Sequence, residues 1–180
     1  MLTTAQLAGL SSTQLASINE AYLSTGQVAA LSLSQFSTEG IANLTTTSIA
    51  ALTTAKLSGL NSTQVAALST TQVNVLTTAQ LSGLTATQSA GLETADVAVL
   101  TTTQITGLTS TAVAGLTTKQ LAVLSTTQLG GLTTAQVRNL SSTQLAALST
   151  TQIEGLGTEE FGGLSATQLG YLSTRQIAAI

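Results

Sequence analysis

LSTTQLGG, residues 124–131, is one of a series of octapeptides that begin at Phe36, Leu44, Leu52 and Leu60 and then at every eighth residue as far as Leu172. Numbered from the leading residue, position 1 is Leu in seventeen of these eighteen octads and Phe36 in the other. Position 2 is Ser or Thr in fifteen, with Asn61, Glu93 and Gly157 as exceptions; position 5 is Gln in twelve; position 6 is apolar in all but Ser89. Positions 2 to 5 therefore read S/T-x-x-Q. That is the signature of a capping box, in which the N-cap hydroxyl accepts from the N3 backbone N–H and the N3 side chain reaches back to the N-cap N–H. Position 1 then falls at N′ and position 6 at N4, the two places of a hydrophobic staple. Each octad reads as one very short helix.

Composition agrees with a folded repeat. Hydrophobic residues make up 43% of the chain and charged residues 6%, which is the opposite of the low-hydrophobicity, high-charge signature of disorder. A fixed period overrides the usual length rule for counting domains, so one solenoid domain is expected over 1–180. Its N-terminal part, 1–35, is irregular and contains two thirteen-residue units, Leu10 to Leu23 and Leu23 to Phe36; regular octads fill 36–180. Leu15, Ile18 and Tyr22 lie at helical spacing, so the thirteen-residue unit is expected to be an octad with a lengthened helix.

A helix this short cannot stand alone, because isolated helices below about 12 residues are marginal even in Ala-rich sequences. A cap contributes on the order of 1 kcal/mol, and each buried position-1 or position-6 side chain roughly 1.5–3 kcal/mol. Stacking must dominate. A second period says how: position 8 sorts every 24 residues into a column Ala51, Val75, Val99, Val123, Ala147, Tyr171 and a column Gly59, Gly83, Gly107, Gly131, Gly155, Ala179. Three octads thus make one superhelical turn. The glycine column marks either close backbone approach or a left-handed C-cap.

The expected fold is an all-α solenoid, right-handed or left-handed, of capped helices. The alternative is a three-sided β-solenoid, favoured by the abundance of Thr and by glycine corners. Position 3, Thr or Ser in sixteen octads, has no explanation in helix propensity. Against strands, the Leu-type positions alternate by five and three residues, where a strand needs even spacing. For 7.5 turns of 24 residues, stacked helices at roughly 8–10 Å per layer give a rod of about 60–75 Å; strands at about 4.8 Å give about 36 Å.

The octads, above all LETADVAVL at 92–100 and LTTAQVRNL at 132–140, resemble the LTTAQ-type tandem repeats of very large bacterial proteins labelled haemagglutinin-like, haem-utilisation or adhesion proteins. The resemblance covers nearly the whole chain and implies a repeat region of a surface or secreted protein. It transfers no functional residue. The chain has no His, Cys or Trp and one Met, so haem ligation finds no support in these residues.

The remaining chemistry is sparse. The only cations are Lys56, Lys119, Arg138 and Arg175, too scattered to neutralise a run of phosphates, so nucleic acid is not expected as a partner. No apolar run approaches the roughly 20 residues of a membrane span. The start, MLTTAQ, enters the repeat without a basic or apolar leader region, so a segment of something longer is expected, located outside the cell or on its surface. Glu159–Glu160 is the only adjacent acidic pair and falls in a first helical turn, where the helix dipole favours it. Glu93 and Asp96 offer two oxygens, short of the 6–8 that Ca²⁺ takes, and read as a variant capping box. Gly130–Gly131 and Gly162–Gly163 are positions 7 and 8 with no following Lys, not phosphate loops.

No catalytic, cofactor-binding or metal-binding residue is therefore expected, and no enzymatic activity. The expected function is a structural spacer rod, associating with itself head to tail through its ends or with flanking domains. The alternative is a binding module in which Thr-rich rows at positions 3 and 4 contact glycan, ice or a host surface. Tyr22, Phe36, Phe161 and Tyr171, confined to the two ends, are expected to help cap the solenoid.

Overall fold

The computed structural model describes residues 2–180 and contains 21 α-helices and two 3-10 helices, with no strand among the described residues. The helical solenoid is the fold, and the β-solenoid is excluded. Each octad supplies one helix of four to six residues: Thr126–Leu129, for instance, follows the N-cap Ser125 and ends at Gly130. In all twelve octads of the 36–180 run that carry Gln at position 5, both halves of the capping box are formed.

The helices stack as the 24-residue period requires. Ala86–Gly91 lies between Ser62–Ala66 and Ser110–Ala114, and Thr102–Gly107 lies on Thr78–Leu81. Each helix thus touches those three places before and after it in the chain. Positions 1 and 6 point into a single hydrophobic cluster that runs from Leu7 to Leu172. Positions 2 and 4 face solvent throughout, while positions 3 and 8 divide between half-buried and exposed. No helix is long and apolar enough to cross a membrane.

The thirteen-residue units differ from expectation. The helix Ser12–Leu15 is not lengthened; it ends, and the chain turns to form a separate 3-10 helix, Glu20–Tyr22, capped by Asn19. The second unit does the same with Leu33–Gln35. Each unit is an ordinary octad followed by a five-residue side, and that side takes a full place in the stack, since Thr38–Asn43 packs on Glu20–Tyr22. A helical spacing of three apolar residues also fits a turn between two short helices, which is why the pattern misleads.

Two further expectations change. No described residue has positive φ, so the position-8 glycines are not left-handed caps. They mark close approach: a Cβ on Gly91 would lie 2.6 Å from the Ser62 carbonyl oxygen, and one on Gly155 would lie 2.8 Å from Thr126 Cα. Both pairs are 29 residues apart, position 8 above position 3 one turn earlier. This explains the small or Thr residues at position 3 that lie beneath those glycines. The aromatics divide by chemistry: Phe36 is core, Phe161 packs partly buried against it, and Tyr22 and Tyr171 are exposed.

Candidate functional site

The one arrangement that recurs through the whole solenoid is built from the position-5 glutamines. A helix of five residues leaves most of its carbonyls without intrahelical partners. In this rod the position-1 carbonyl, such as that of Leu124, receives no backbone N–H. The glutamine of the octad three places later meets this need. Gln152 Nε2 donates to the carbonyl oxygens of Leu124 at 2.9 Å and Leu121 at 2.8 Å, while its Oε1 accepts from Ser149 N–H at 3.0 Å. One amide thereby caps the start of its own helix and the end of a helix one turn below.

The pattern repeats with fixed offsets. Gln128 donates to Leu100 and Val97, Gln120 to Leu92 and Ser89, and Gln64 to Phe36 and Leu33, each 28 and 31 residues back. Next to the five-residue sides the offset shortens: Gln27 donates to the Leu2 carbonyl and Gln35 to that of Leu10, both 25 residues back. The ladder thus counts sides of the solenoid, not residues. Its rungs are neutral amides, most of them buried along the middle of the rod.

Where position 5 is not Gln, the rung changes character. Lys56 keeps the donor and bonds the Leu31 carbonyl. Ala112 has no side-chain donor, and its octad instead approaches closely, so that a Cβ on Gly115 would collide with the backbone of Ala86. Asp96 is 1% exposed and its Oδ2 accepts from Glu93 N–H at 3.0 Å, so the variant cap is present on that side. Burial holds the Asp96 carboxyl above its ordinary value; the Glu93 backbone N–H opposes the rise and the Glu93 carboxylate adds to it. At position 6, the Ser89 hydroxyl is buried with no hydrogen-bond partner.

The other candidate groups remain dispersed. Glu159 and Glu160 sit in the first turn of Thr158–Gly162. No three His, Cys, Asp or Glu residues converge among the described residues. The capping half of the glutamine's role was readable from S/T-x-x-Q; the second half had a signal too. A capping box accepts Glu as readily as Gln, and the helix dipole prefers the acid in the first turn, yet position 5 holds twelve Gln and one Glu. Such a bias requires the Nε2 donor, and a donor in a packed solenoid requires a buried acceptor.

The comparison with protein families agrees with the tandem octad. The family described as the ALTTAQ repeat matches residues 49–86, 89–126 and 122–158, together more than half of the chain. No curated protein and no solved structure matches it. The matched segments contain the S/T-x-x-Q caps, the position-1 leucines and the ladder glutamines described above, and the chain belongs to the ALTTAQ repeat family.

Proposed function

We propose that the chain is a spacer: a stiff, non-enzymatic repeat rod that sets a distance between other parts of a large bacterial surface or secreted protein. The observation that carries this reading is the glutamine ladder, which ties each turn to the next by hydrogen bonds along with apolar contact. Stacked helix packing alone permits flexing. Amide rungs of fixed geometry at 2.6–2.7 Å resist it.

The ladder also supports end-to-end association. At one end Gln6 and Gln14 have capping bonds but, among the described residues, no carbonyl that accepts from their amides. At the other, the position-1 carbonyls of Leu156, Leu164 and Leu172 receive no side-chain donor among the described residues. The two faces are complementary, and in this reading they meet further octads or a second copy of the rod.

Small-angle scattering tests the spacer directly. Duplicating three octads, 76–99, should lengthen the particle by one layer, about 8–10 Å, at unchanged cross-section; a larger cross-section or no gain in length refutes it. Concentration-dependent growth in length alone is expected if the ends join. In the adhesion reading the exposed position-4 run Thr103, Thr127, Thr151 is the contact row. Thr→Lys changes there should abolish glycan or ice binding without unfolding, and no binding by the unaltered chain removes that reading.

A further inference from the structure

The most unusual place in the rod is where the helix Thr38–Asn43 rests on the five-residue side Glu20–Tyr22. Glu20 is 4% exposed, and among the described residues no N–H or O–H donates to its carboxylate. The group opens into a cavity of about 270 Å³ also lined by Ser17, Asn19, Ser37, Glu39 and Asn43. No basic residue lines it. The cavity therefore presents carboxylate oxygens with no counter-charge among its lining residues.

Two departures from the repeat create this place. The short side carries Glu20 to the level of the next turn, and the residue above it is Gly40, at the position where twelve octads have Gln. A Cβ on Gly40 would lie 2.6 Å from Glu20 Oε1. Glycine is what leaves room for the carboxylate. In twelve octads position 5 is filled by a glutamine that completes the ladder; here it is vacated, and oxygen-bearing side chains line the space.

We propose that this cavity binds a hard divalent cation, Ca²⁺. Its donors are the carboxylates of Glu20 and Glu39, the Asn43 side-chain oxygen and the Ser17 and Ser37 hydroxyl oxygens, with water completing the shell. The donor set contains oxygen only, as Ca²⁺ prefers, and the irregular arrangement suits an ion that takes 6–8 ligands in flexible geometry better than Mg²⁺, which demands a near-ideal octahedron. Two carboxylates balance the charge of one ion. The ion would fasten the irregular N-terminal turns to the first regular octad, at the point where the glutamine rung is missing.

The test is a titration of the full chain with CaCl₂ by calorimetry, paired with Tb³⁺ luminescence, for which Tyr22 is a sensitiser in the same 3-10 helix as Glu20. One saturable site with Kd of about 10⁻⁴–10⁻³ M is expected, with Mg²⁺ at least about tenfold weaker. Glu20→Gln should abolish the signal, and Glu39→Gln should weaken it about tenfold or more. Glu39 is exposed, so its variant keeps the test decisive even if Glu20→Gln fails to fold. Glu93→Gln, remote from the cavity, should change nothing. No saturable binding at millimolar Ca²⁺, or binding that survives both cavity substitutions, overturns the proposal.

Discussion

Replacing Gln120 by Glu changes one atom of the ladder from donor to acceptor and leaves the size of the side chain almost untouched. Gln120 is 2% exposed; its Oε1 accepts from Thr117 N–H at 2.6 Å, and its Nε2 donates to Leu92 O at 2.6 Å and Ser89 O at 2.9 Å. The glutamate keeps the first bond and sets its second oxygen against two carbonyl oxygens. Each of the two carbonyls that loses a buried donor costs about 1–3 kcal/mol, and an uncompensated buried charge about 3–5 kcal/mol; together at least about 5 kcal/mol is expected at pH 7. The ionised form is the one disfavoured, so the folded pKa of this Glu rises above its unfolded value of about 4.3. The penalty is then fully present above the folded pKa and shrinks as pH falls through it, because the protonated acid can donate to one of the carbonyls.

Gln6→Glu is the matched control. Gln6 makes the same capping bond, at 2.8 Å to Thr3 N–H, and bonds no carbonyl of another turn. A first-turn acid there should be neutral or slightly stabilising, within about 0.5 kcal/mol. Urea denaturation followed by far-UV circular dichroism at pH 7 and pH 4 reads the difference. Because repeat proteins open turn by turn, native-state hydrogen exchange of amides in 85–124 localises it. Equal midpoints for the two variants at pH 7, or a Gln120→Glu penalty that does not shrink at low pH, would refute the donor role of the amide.

Asp96→Gln should stabilise the rod at pH 7 by roughly 1–3 kcal/mol, since it removes a buried acid and restores a donor for the carbonyls 28 and 31 residues back, those of Leu68 and Val65. The raised pKa of Asp96 favours the protonated fold, so its contribution is most favourable below the unfolded value and is lost as pH rises through the folded one. The gain from Asp96→Gln should therefore narrow at acid pH, and a pH-independent gain would contradict it. Gly91→Ala, whose Cβ meets the Ser62 backbone, should destabilise by about 1–3 kcal/mol, whereas Gly162→Ala, in a helix with open space, should stabilise by about 0.4–1 kcal/mol; thermal melts that rank them the other way reject the close-approach reading. Ser89→Ala removes a buried unpartnered hydroxyl and should raise stability by about 1 kcal/mol, checked by the same melts.

The helix, its cap and its stacking were legible because they are local or strictly periodic: Ser125, Gln128 and Leu129 state an N-cap, a reciprocal partner and a core residue within five positions. The 24-residue columns of position 8 disclosed three sides per turn. What stayed hidden joins residues about 28 apart. Thr102 at position 3 made no sense within its own helix and makes sense only beneath Gly131, whose Cβ would collide with it. Gln128 Nε2 likewise acts one turn away, on Leu100. The five-residue sides were hidden for another reason, since Leu15, Ile18 and Tyr22 keep helical spacing across a break that only the backbone reveals. Glu20, set below Gly40 by that break, carried no sequence signal beyond being an acid outside the octad frame.

Because the ladder counts sides, a side can shorten from eight residues to five and still leave its neighbours bonded, as Gln27 and Lys56 show. Changes in length should accordingly be tolerated in whole sides and resisted in fractions of one. Removing three octads returns every residue to a chemically equivalent neighbour. Removing one keeps the amide rungs but rotates the position-8 columns, setting Val99-type residues over sites fitted to glycine. Recombination among such repeats would therefore favour steps of 24 residues over steps of eight, and the spacing of the rod would grow or shrink by complete turns.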